Sequence, residues 1–129
     1  MTETRKELSI RSYAYIGDAV YEIFAREKTI ELTENPNKLH KATSSIVNAE
    51  FHAELLNVLD DFFTEEEKEI VRRARNLPVT KARRSNQANH RLSTAFEAVV
   101  GYLYLTDRER LNVLYAQITP IIDEKLKSI

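Results

Sequence analysis

The chain has 129 residues, 30% of them charged, a formal net charge of −1 and no cysteine. This length suits one domain with a single core, and the lack of Cys excludes disulfides and thiolate metal sites, leaving oxygen or His ligands for any metal. Nothing at the N-terminus resembles a signal peptide and no apolar run reaches a membrane span, so a cytoplasmic protein is the expectation.

Only two glycines interrupt a composition rich in Glu, Lys, Ala and Leu, which predicts an all-α fold. Helices are expected over residues 9–28, 36–43, 45–59, 64–75, 91–105 and 107–127. In the first, Tyr13 to Tyr21 is apolar or aromatic except for one charged side chain, Asp18. Glu22, one turn on, has Arg26 four residues away, the spacing of a helical ion pair. The second helix is announced by Asn35-Pro36, a cap followed by Pro at the first helical position. Val47, Phe51, Leu55 and Leu59 form one stripe at helical spacing in the third. Thr64…Glu67 and Thr106…Glu109 read as capping boxes for the fourth and last helices. The fifth expected helix, apolar nearly all round, is the natural central element. Its Gly101 costs about 1 kcal/mol relative to Ala, which points to a close helix–helix crossing. Pro120 predicts a kink or break in the last helix.

Charge is segregated along the chain. From Val71 to Phe96 there is no acid but seven bases, Arg72, Arg73, Arg75, Lys81, Arg83, Arg84 and Arg91; the remainder holds 19 − 7 = 12 bases against all 20 acids. Within this segment residues 76–90 show no periodicity and read as a long basic connection. Such a patch fits a polyanion. Arg, Lys, Asn, Gln and Ser donors suffice for the phosphates and 2′-hydroxyls of an RNA duplex, which makes Lys81, Arg83, Arg84, His90 and Arg91 the candidate RNA-binding residues. A solvated connecting loop is the plainer alternative.

The sharper signal is a pair of isolated acids. Asp18 is the single charge in the first apolar stretch, and Glu97 the single charge from Leu92 to Leu105. An unpaired buried carboxylate costs several kcal/mol, so each needs a cation, hydrogen bonds or a raised pKa. Two acids sharing one divalent metal would meet both needs and form a hydrolytic centre.

Ala14-Tyr-Ile-Gly-Asp-Ala-Val20 and Ser93-Thr-Ala-Phe-Glu-Ala-Val-Val-Gly101 resemble the two acidic helices of the ribonuclease III family. With Leu39-His-Lys41 and Phe63-Thr-Glu-Glu-Glu67, the resemblance extends over essentially the whole chain. It is nearest to the short Mini-ribonuclease III branch, which has no double-stranded-RNA-binding domain. The resemblance implies a single all-α ribonuclease III endonuclease domain over 1–129, a homodimer, Mg²⁺ dependence and staggered cleavage of double-stranded RNA. In that branch the associated role is maturation of the 23S ribosomal RNA precursor, with a ribosomal protein as a possible accessory. Asp18 matches the catalytic and metal-binding Asp, Glu97 the metal-binding Glu, and Tyr15 an aromatic at the subunit contact. Ordinary members carry further acids where this chain has Arg11, Ala14 and Thr94. Those losses leave open an alternative, a ribonuclease III-like module that binds RNA without cutting it.

Overall fold

In the computed structural model, residues 7–78 and 87–129 are described. They form six helices: α1 (Ile10–Ile30), α2 (Pro36–Ile46), α3 (Ala49–Val58), α4 (Glu65–Arg75), α5 (Gln87–Thr106) and α6 (Arg108–Leu126). No strand occurs among the described residues, so the all-α expectation holds. Helix α5 is the axis of the bundle. It buries Ala95, Phe96, Ala98, Val99, Val100, Gly101 and Leu103 and packs against α1, α3 and α4. Each large side chain so enclosed, such as Phe96, contributes about 2–3 kcal/mol through burial.

The starts of the helices follow their local chemistry. The Ser9, Asn35 and Asn48 side chains cap α1, α2 and α3 by accepting the backbone N–H of Ser12, Lys38 and Phe51. Thr64 and Glu67 close the expected capping box at α4. Glu67 then also binds Arg110 of α6, with both carboxylate oxygens at 2.8 Å from the guanidinium. Burial alone would raise the Glu67 pKa, but Arg110 and the Thr64 backbone outweigh it and hold the carboxyl below its usual range. The guanidinium also lies over the Phe62 ring, 3.8 Å from its centroid, and donates to the Phe62 carbonyl.

Several boundaries differ from the sequence expectation. The third helix begins at Ala49, because Asn48 caps it and Val47 terminates α2. At α6 the cap is Asp107, whose side chain accepts from the Arg110 N–H; the Thr106 hydroxyl instead donates back to the Tyr102 carbonyl. Helix α6 runs unbroken through Pro120. The carbonyl of Ala116 loses its usual donor there, and Ala116 is exposed, so water can replace it. Helix α5 starts at Gln87, four residues before the expected position, which takes 87–90 out of the predicted connection. Its opening turn of Gln, Ala and Asn carries too little apolar periodicity to announce itself.

Candidate active site

The two helices that carry the isolated acids touch through their main chains. A β-carbon on Gly17 of α1 would fall on the carbonyl oxygen of Glu97, and one on Gly101 of α5 would fall on that of Tyr13. Each glycine therefore makes room for the other helix's backbone. Gly101 was read from sequence as a crossing residue; its counterpart is Gly17. This contact sets Asp18, the next residue along α1, directly beside Glu97.

The electrostatics register that proximity. Glu97 keeps only 18% of its side chain exposed. Burial, then the charge of Asp18 and hydrogen bonding between the two carboxyls, push the Glu97 pKa up to about 8. Near neutral pH Glu97 therefore largely keeps its proton. A divalent cation can take the place of that proton, since it satisfies both carboxylates at once. Asp18 is exposed, so the pair opens to solvent on the α1 side.

Behind Glu97 stands a residue that the sequence did not single out. His52 of α3 is 2% exposed, with its Nδ1 at 2.8 Å from Ser93 Oγ and 3.7 Å from Glu97 Oε2. Its ring meets Tyr21 edge-on at 5.1 Å and lies against Phe96 at the same distance. Burial lowers its pKa to about 4. It is thus neutral near pH 7, and its approach to Glu97 is a polar contact between uncharged groups. Sequence offered one faint sign, a lone His directly after Phe51 on the apolar stripe of α3, which a core position would show equally.

The positions that the resemblance marks as departures contribute no carboxylate. Ala14 is buried, the Thr94 hydroxyl donates to the carbonyl of His90, and Arg11 reaches the Pro78 carbonyl. Among the described residues no group of three or more His, Cys, Asp or Glu side chains gathers to hold a metal. The available donor set is two carboxyl groups with access to water. It fits Mg²⁺, which retains waters and is often held by one or two carboxylates with substrate phosphate. Glu22 pairs with Arg26 at 2.9 Å, as its spacing predicted.

The basic candidates divide. Lys81, Arg83 and Arg84 lie outside the described residues. His90 and Arg91 open α5, where the helical repeat places His90 on nearly the same line as Glu97, two turns earlier, and Arg91 about 120° away. Arg91 lines a groove with α4. On α1, Tyr13 and Tyr21 are buried and Phe24 stacks on Tyr115 with centroids 3.8 Å apart, while Tyr15 is 84% exposed.

Residues 11–108 match the model of the ribonuclease III domain. The Mini-ribonuclease 3 of Gloeobacter violaceus is 41% identical over 109 residues, 84% of this chain and 81% of that protein. The Mini-ribonuclease 3 of Staphylococcus aureus is 39% identical over 125 residues, 93% of each. A crystal structure of protein FN1578 from Fusobacterium nucleatum superposes with a TM-score of 0.80 at 26% identity, over 92% of this chain and 95% of that one.

Proposed function

Because the chain belongs to the ribonuclease III family, among its Mini-ribonuclease 3 members, and is an endoribonuclease, we propose that it is a Mg²⁺-dependent enzyme cutting double-stranded RNA. The 23S ribosomal RNA precursor is the proposed substrate. One observation supports this reading: the contact of α1 and α5 at Gly17 and Gly101 brings Asp18 and Glu97, 79 positions apart, side by side.

Asp18 and Glu97 are the residues that would hold the cation. When bound, Mg²⁺ supplies an activated water and neutralises charge on the phosphoryl oxygens. The chain supplies the geometry. Gly17 and Gly101 let the two acid-bearing helices meet through their main chains, and the His52–Ser93 hydrogen bond supports the inner side of Glu97. Aromatic and aliphatic neighbours exclude water from that side, so the open route to the pair is past Asp18. Lys81, Arg83, Arg84, His90 and Arg91 are proposed to bind RNA phosphates, His90 from the face of α5 that carries Glu97.

A staggered cut in a duplex needs one site per strand, and the proposed assembly is a homodimer. Tyr15 and Ile23, 84% and 60% exposed, flank the exposed Ala19 at four-residue intervals on α1 and give this helix an uncovered apolar line. That line, beginning three residues before Asp18, is the proposed subunit contact. A cytoplasmic location and a ribosomal protein accessory complete the proposal.

The test is cleavage of a labelled duplex RNA by the purified protein with Mg²⁺ or with EDTA. Cleavage is expected with Mg²⁺ alone. Asp18→Asn and Glu97→Gln should each lower the rate by about a hundredfold or more while duplex binding persists. A variant of either kind that cuts at the wild-type rate would overturn the assignment.

A further inference from the structure

A second cationic feature lies on the far side of α5. Lys68, Arg72 and Arg75 follow one another at spacings of four and three residues along α4, and Arg91 faces them across a groove of roughly 640 Å³. Among the described residues Asp60 is the one acid lining it, against four cations. Two of these cations have local partners: Lys68 stands 3.8 Å from Glu65, and Arg72 is clasped by Glu69. Among the described residues no carboxylate lies within ion-pair distance of Arg75 or Arg91, and Nε of Arg91 is buried without a hydrogen-bond partner.

Arg75 and Arg91 face the same groove without a carboxylate partner among the described residues, and a buried donor without an acceptor costs about 1–3 kcal/mol. An anion with several oxygens relieves both conditions. Val71 and Leu92 give the groove a partly apolar lining that can take ribose or base surface. This groove is separate from the acid pair. Ala88 and Leu92 of its α5 wall lie roughly 180° and 140° around the helix from Glu97, and Arg91 about 120°.

We propose that the α4–α5 groove is a second phosphate-binding site, which takes a phosphate-bearing ligand between Arg75 and Arg91 with Lys68 and Arg72 on its rim. The phosphates come from one of two sources: a flanking segment of the RNA itself, an arm that rests on the endoribonuclease reading, or a free nucleotide or pyrophosphate.

The experiment compares the full-length wild type with the double variant Lys68→Gln/Arg75→Gln. Both residues are exposed on α4, so the helical circular dichroism should be retained. Two titrations are made, with inorganic pyrophosphate and with a long RNA duplex, the latter at several salt concentrations in EDTA. Weaker duplex binding in the variant, by roughly tenfold, with a salt slope shallower by about two, assigns the groove to RNA backbone. Saturable pyrophosphate binding that the variant loses, with duplex affinity unchanged, assigns it to a free phosphate ligand. If neither titration separates the two proteins, the site does not exist. Cleavage by the wild type is followed in parallel. A wild type that cuts RNA beside two unchanged titrations sinks the groove alone. A wild type that neither binds nor cuts RNA, yet binds pyrophosphate through Lys68 and Arg75, sinks the RNA reading alone.

Discussion

Gly17 rests against the main-chain carbonyl of Glu97, so the residue next to one acid is in contact with the backbone of the other. The approach of the two helices that carry the acids is therefore set by a backbone contact, which side-chain rotamers cannot relax. Gly17→Ala should destabilise the protein by about 3 kcal/mol or more, above most overpacking changes, because the obstructing atom belongs to a helix backbone. Gly101→Ala should behave alike through the Tyr13 carbonyl. Chemical denaturation measures the loss, and a Gly17→Ala protein of wild-type stability would show that the helices cross less closely.

The pH dependence follows from Glu97 and His52. Glu97 titrates near 8 in the fold against an ordinary 4.5, so over that range the native state keeps a proton that the unfolded chain has released, and stability falls as pH rises. His52 titrates near 4 against an ordinary 6.5. Between those values the unfolded chain takes up a proton that the fold refuses, so stability falls as pH drops. The two slopes oppose each other from pH 4.5 to 6.5, and above 6.5 that of Glu97 stands alone. Melting in EDTA should therefore show the wild type losing up to about 1 kcal/mol per pH unit from 6.5 to 8 relative to Glu97→Gln. Parallel curves for the two proteins would contradict the raised Glu97 pKa.

Cation binding should carry the complementary signature. A divalent ion must displace the Glu97 proton, so Mg²⁺ affinity should rise by up to about tenfold per pH unit toward pH 8, with up to one proton released per site. Calorimetry in buffers of different ionisation enthalpy counts that proton. Affinity independent of pH from 6 to 8 would exclude Glu97 as a ligand.

At the proposed subunit contact, Tyr15→Glu with Ile23→Glu should shift sedimentation from dimer to monomer at micromolar concentration. Stability of the isolated chain should change by less than about 0.5 kcal/mol, because both side chains are exposed. Paired cuts in one duplex should give way to single-strand nicks or to no cleavage. A wild type that sediments as a monomer would remove the contact altogether.

For the basic segment, Arg83→Ala with Arg84→Ala should raise KM and flatten the salt dependence by about one unit of slope per lost phosphate contact, with little change in kcat. Unchanged affinity and slope would leave these residues without a part in binding.

Much of this protein was legible in its sequence, and for a definite reason. Asp18 and Glu97 stood out because a charge inside an apolar run is expensive wherever the chain goes, so it signals a special environment before any contact is known. The helices were legible from Asn35-Pro36, the Thr64…Glu67 box and the Phe51–Leu55 repeat, since caps and periodicity act within a few residues. Tertiary structure decided what depends on partners distant in the chain. Gly101 hinted at a crossing, but only the packed helices matched it with Gly17. His52 looked like any core position of α3 until Ser93 and Glu97, 41 and 45 residues away, met its ring. Arg91 was by sequence one base in a long basic run, and the rotation of α5 turned it toward α4. Hydrophobic spacing specifies which face of a helix is buried; which polar group it meets there is decided by how the helices pack.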